Sequence, residues 1–172
     1  MTKEPQPGRG TGVPLTTVDR HVDAPPERVF AALSDGWLLP VWVVGATHIR
    51  DVDENWPEPG SRAHHQVGPW PVSIADSTAV VDCEPPRRLV LQARAYPVGE
   101  ARVDITVEPD GTGSRVVMAE APTHGAARLL DNPLQRWVLA ARNRESLARL
   151  AALAEHRREL SMRAPTPGQV SG

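Results

Sequence analysis

The sequence predicts an α+β domain in which one curved antiparallel sheet of about seven strands wraps a single long C-terminal helix. Three observations carry this. Apolar residues alternate at period two from His48 to Ala121, turn-forming clusters interrupt that alternation at short intervals, and no Gly or Pro occurs between Pro133 and Pro165.

The first element, TTVDRHV, alternates as a strand does. The segment APPERVFAALSD follows at once. Pro26 suits the first helical turn, Glu27 meets the positive end of the helix dipole, and Val29, Phe30 and Leu33 share one apolar face. Gly36 interrupts this helix, and Pro40 keeps a second helical segment around Trp37 to Trp42 short. Two short helices therefore follow the first strand.

Turn signals then lie at Asn55 to Gly60, Gly68 to Pro71, Pro85-Pro86, Pro97 to Gly99 and Asp110-Gly111, and they divide a meander of about six strands. Leu89, Leu91, Ala93 and Ala95 share one face. Ala101, Val103, Ile105 and Val107 alternate with Arg102, Asp104, Thr106 and Glu108, so one face of the sheet is apolar and the other meets water.

Asn132 as N-cap and Pro133 at the first helical position open the last element, a helix to about residue 159 and roughly 40 Å long. Leu139, Ala140, Leu147, Leu150, Ala151 and Ala154 form its apolar stripe, interrupted by Asn143. Arg142, Glu145, Arg149, Glu155 and His156 group on the opposite side. Leu134, Trp137, Val138 and Ala141 lie on the other face, so the first third is apolar nearly all round and calls for cover on two sides.

Composition bounds the function. The 172 residues suffice for one domain, placed at 15–160 between disordered tails at 1–14 and 161–172 that are rich in Pro and Gly. Nineteen Lys and Arg against 21 Asp and Glu leave a charge of -2, which provides no whole-domain positive field for nucleic acid. The N-terminus has no apolar signal region and the chain no apolar run long enough to span a bilayer. A cytoplasmic protein with no integral membrane segment is expected. Cys83 is the single cysteine, so no internal disulfide forms. No metal-ligand spacing appears, and neither a metal nor another cofactor is expected. There is no G-x-S-x-G elbow, the glycines of GRGTG read as a flexible tail rather than a phosphate loop, and no catalytic residue is assigned.

In order along the chain, VDAPPERVFAALSD, Trp42 with Val43-Val44-Gly45-Ala46, WPEPGSRAHHQVGPWP, CEPPRRLVL, GTGSRVVMAEAP and NPLQRWVLAARNRESLARLAALAE resemble the SRPBCC superfamily. These are START-type helix-grip proteins, and the resemblance is to the bacterial polyketide cyclase/dehydrase-like branch over residues 16 to 160. It implies a helix-grip fold and a deep, largely apolar pocket between sheet and final helix for a lipid-like or polycyclic ligand. Members include lipid carriers, hormone receptors and aromatases/cyclases.

Several polar residues are candidates for that pocket. His64 and His65, adjacent on a strand, point to opposite faces and cannot chelate one ion together. Parity with Ala63 and Val67 turns His65 inward, as a ligand contact or as a satisfied core histidine. Glu120 follows Val116 and Met118 at period two and faces the core side near a strand end, where it needs a partner or a raised pKa unless it reaches solvent. Asp76 and Thr78 point inward if the strand parity holds and lie on the surface if it slips by one. Asn143 requires a partner, either the ligand or a strand carbonyl. Arg136 reaches the pocket mouth or stays solvated. The expected ligand contacts are Trp42, His65, Asp76, Thr78, Glu120 and Asn143, with Trp42 and the loop Pro122 to Asp131 at the entrance.

The aromatic residues are mostly indoles, five Trp against one Tyr and one Phe. Trp42, Trp56, Trp70 and Trp137 are expected to rim a cavity with an aliphatic interior, while Trp37 has no place in that scheme. Three functions fit. The first is binding of a hydrophobic small molecule without demonstrable catalysis. The second is a polyketide cyclase or aromatase/dehydratase, with His65 or Glu120 moving a proton from carbon next to a carbonyl. The third is an interaction module or homodimer that docks through Leu134, Trp137 and Val138.

Overall fold

A computed structural model describes residues 16–67, 74–95, 99–124 and 132–163. Strand β1 (Thr16–Val22) leads into α1 (Pro26–Leu33), a single 3₁₀ turn (Gly36–Leu38) and α2 (Leu39–Trp42). Strands β2 (Ala46–Val52), β3 (Arg62–Val67), β4 (Ile74–Glu84), β5 (Arg88–Ala95), β6 (Gly99–Asp110) and β7 (Gly113–His124) follow, and α3 (Pro133–Arg163) ends the fold.

The seven strands form one sheet in the order β1-β7-β6-β5-β4-β3-β2, antiparallel throughout. Strands β2 to β7 are the meander that the turn spacing predicts. Because β1 pairs with β7, the consecutive strands β1 and β2 form opposite edges of the sheet, and α1 and α2 carry the chain between them.

Local chemistry places these connectors. α1 starts with Pro26 in its first turn and buries Val29, Phe30, Ala32 and Leu33. The Asp35 side chain then accepts from the Trp37 backbone N–H at 3.1 Å and caps the 3₁₀ turn. Gly36 is needed there because a Cβ would lie 2.7 Å from Val52 Cγ1 and 3.3 Å from the Trp56 ring. The opposite end of the sheet has a similar constraint: at Gly113 a Cβ would collide with the backbone oxygen of Val22.

The core lies between the concave face of the sheet and the second half of α3. Leu147, Leu150, Ala151 and Ala154 pack with Val18, Val22, Phe30, Leu33, Ile105, Val107 and Val116. Each fully buried Leu or Val contributes roughly 1.5–3 kcal/mol relative to exposure, so this end of the groove supplies much of the stability. α3 runs to Arg163, three residues past the expected domain end. Residues 1–14 and most of the expected C-terminal tail lie outside the described residues, as do Trp70, the turn from Gly68 to Pro71 and residues 125–131 of the expected entrance loop. No helix of the described residues is long and apolar enough to cross a membrane.

Candidate ligand cavity

The first half of α3 spans the same groove without filling it. A cavity of about 350 Å³ remains there, within the range of small-molecule sites. Leu91, Ala93, Ala101, Val103 and Met118 form its floor on β5, β6 and β7; Leu39, Trp42 and the segment Val43 to Ala46 form one wall. The helix contributes Gln135, Val138, Leu139, Arg142, Asn143 and Ser146 as its roof. Those six positions recur at spacings of three and four and continue the stripe that becomes Leu147, Leu150 and Ala151. One face of α3 thus changes from core to cavity lining partway along its length. At the junction Ser146 Oγ accepts from the Val44 backbone N–H at 3.1 Å and ties the side wall to the roof.

His65 and Thr78 line the cavity from β3 and β4; for His65 this is the direction that parity gives, and for Thr78 it is the inward one of the two left open. His65 is 5% exposed, and its Nε2 lies 2.9 Å from Thr78 Oγ1. Burial pushes its pKa below the ordinary 6.5 against a smaller upward pull from Asp76, so the ring is neutral at pH 7. Its Nδ1 and the indole Nε1 of Trp42 are buried with no hydrogen-bond partner among the described residues. Asp76 is also buried, but it is not among the residues lining the cavity; its Oδ1 accepts from the Ser77 backbone N–H at 2.7 Å.

Glu120 has found the partner its buried position demands. Arg142 Nη2 donates to both carboxylate oxygens, at 2.7 Å and 2.6 Å, and Asn143 Nδ2 donates to Oε2 at 2.9 Å. Asn143 thus finds its protein partner in a side-chain carboxylate and not in a strand carbonyl, and it lines the cavity beside that pair. The helical-wheel placement of Arg142 on the polar side also needs correction. It flanks the apolar stripe, and its long side chain reaches over to β7. What could have revealed it is the run Gln135, Arg142, Asn143, Ser146, polar residues in register with a core stripe.

Among the described residues, the indoles Trp42, Trp56 and Trp137 do not form the expected rim. Trp42 is 1% exposed and is a wall of the cavity, not its entrance, because α2 tucks under the first half of α3. Trp56 lies against Gly36 and is not among the lining residues. Trp137 is 66% exposed and outside the lining, beside Leu134 at 69%. The second layer of cover expected over these residues and Val138 is therefore missing among the described residues.

Other chemistry is sparse. No group of three or more His, Cys, Asp or Glu side chains among the described residues could hold a metal ion. Burial, with Asp82 adding to it, pushes the Cys83 thiol above its ordinary pKa, the opposite of an activated nucleophile.

A curved antiparallel sheet gripping one long helix, hollow at one end, defines a helix-grip domain. Residues 15–155 match the family described as polyketide cyclase / dehydrase and lipid transport, and the chain belongs to that family, within the SRPBCC superfamily. Solved structures agree on the fold. A protein from Rhodobacter sphaeroides superposes with a TM-score of 0.66 at 24% identity, over 88% of this chain and 97% of that one. Ara h 8.0201 gives 0.66 at 13% identity, over 84% and 99%. DynU16, from the dynemicin biosynthetic locus, gives 0.60 at 20% identity, and 82% of this chain covers 47% of that protein. No curated protein matches the chain.

Proposed function

We propose that this protein binds a hydrophobic small molecule, lipid-like or polyketide-like, in the cavity between the sheet and the first half of α3. The observation that carries this reading is the persistence of an apolar hollow of about 350 Å³ under a helix whose other half packs tightly. Protein interiors are close-packed, so an unfilled apolar volume of this size forfeits contacts that a ligand would restore. The few polar groups in the lining then orient that ligand, with Trp42, His65, Thr78, Glu120 and Asn143 as its expected neighbours and Asp76 acting only through His65.

Native mass spectrometry of protein purified from its own host tests this, together with thermal shifts across a panel of lipids and polyketides. A co-purifying small molecule, or a raised Tm with a subset of the panel, is expected. Neither one appearing would refute the reading.

A second, catalytic reading has support from one residue. His65 is neutral in an apolar cavity, the state a general base requires. Glu120 is unsuited to that role because both of its oxygens are held by Arg142.

A further inference from the structure

We infer that the ligand presents an uncharged oxygen, a ketone or a hydroxyl, to the Arg142 end of the cavity, and that carboxylates are selected against. This deepens the binding reading above and rests on it.

The argument is one of charge balance. The residues lining the cavity with formal charges are Arg94, Glu100, Glu120 and Arg142, and each cation is already matched. Arg142 holds Glu120 through two bonds, and Arg94 Nε lies 3.0 Å from Glu100 Oε1. Burial keeps His65 neutral. An entering carboxylate would therefore lose its hydration without gaining an unneutralised cation, and at Arg142 it would lie close to the buried charge of Glu120.

A neutral acceptor meets no such obstacle. Arg142 gives Nη2 to Glu120 and directs Nε toward Asn143 Oδ1 at 3.4 Å, while Nη1 has no partner among the described residues. The Arg142 side chain is 41% exposed and lines the cavity, which leaves room for a ligand oxygen beside the guanidinium. A ligand oxygen that accepts from Nη1 leaves the Glu120 pair intact, and the apolar body of the ligand can lie over Leu91, Val103 and Met118. The fixed fork of the guanidinium makes the two interactions compatible.

Calorimetric titration of the full chain with four probes of equal chain length tests this: a medium-chain methyl ketone, the primary alcohol, the carboxylate and the amine. Ketone and alcohol are expected to bind about tenfold or more tightly than carboxylate or amine. Glu120→Gln leaves Arg142 unneutralised, so the ratio of carboxylate to ketone affinity should rise about tenfold. Should that variant fail to fold, Glu100→Gln tests the same shift at Arg94, with a smaller rise expected. The inference is overturned, with the binding reading intact, if carboxylate or amine binds the unaltered protein as tightly as the ketone. An unchanged ketone-to-carboxylate ratio in a folded variant overturns it too. If none of the four probes binds, the binding reading falls and takes this inference with it.

Discussion

The two halves of α3 lie in one groove and follow one helical spacing, yet they pack in opposite ways. From Leu147 to Ala154 the inward face is Leu and Ala and is buried against β1, α1 and the sheet. From Gln135 to Ser146 the same face carries Gln, Arg, Asn and Ser between its aliphatics and stands off the sheet over a cavity. Periodicity sets which way a side chain points. Whether that direction ends in a core or a hollow depends on what the facing strands place there, and in the hollow half the small or polar Ala93, Ala101, Thr78 and Glu120 stand among Leu91, Val103 and Met118.

The largest effect that probes this contrast is on stability. Leu150→Ala should cost about 2–5 kcal/mol, because it opens a hole in the packed half. Leu139→Ala should cost only about 1 kcal/mol, because its side chain already borders empty space. Urea denaturation of the two variants measures the difference; equal costs would mean that the hollow half closes in solution.

A smaller effect is expected at the boundary between charge and packing. Arg142→Met strands the Glu120 carboxylate in the interior and should cost about 1–3 kcal/mol, less than for a fully buried pair because Arg142 is partly exposed. Adding Glu120→Leu should recover that loss and carry stability above that of the unaltered protein. A single variant as stable as the unaltered protein would show that water solvates Glu120.

The smallest effect separates two histidines by sign. Burial lowers the pKa of His65, so its contribution is present above pH 6.5 and fades as pH falls below that value. His21 lies at the opposite end of the fold, where Asp110 at 2.9 Å and Asp23 at 3.2 Å raise its pKa; its contribution is present below pH 6.5 and is lost as pH rises through the raised value. In profiles of Tm against pH, His65→Gln should therefore flatten the acid limb, and His21→Gln should remove stability on the acid side. The same change from both variants would contradict the contrast.

Much of this fold was legible in the sequence because its signals are local and periodic. Alternation gave the strands their faces and turned His65 inward, while it left Thr78 open to a slip of one residue and Glu120 open to solvent at its strand end; the turn clusters set the order of the meander. Long reach and short elements were harder to read. Arg142 sits at a polar helical position and acts through a side chain that crosses to another element, which spacing does not encode. Trp42 ends a helix of four residues, too short for periodicity to define a buried side. The exposed Trp137 and Leu134 mislead in the other direction, since an apolar residue carries the same letter whether or not anything covers it.

The Glu120–Arg142 pair has one more consequence, for why the hollow exists at all. An apolar cavity under a helix invites the helix to sink, since closer approach would gain dispersion contacts and shed surface. A guanidinium and a carboxylate standing between β7 and α3 act as a strut, because neither group can be pressed into aliphatic surroundings without losing its partner. A well-packed Leu and Met in their place would let the helix settle and would raise stability while erasing the space beneath it. A costly pair thus stands where a simpler core would close, and the hollow is kept open by a local sacrifice of stability.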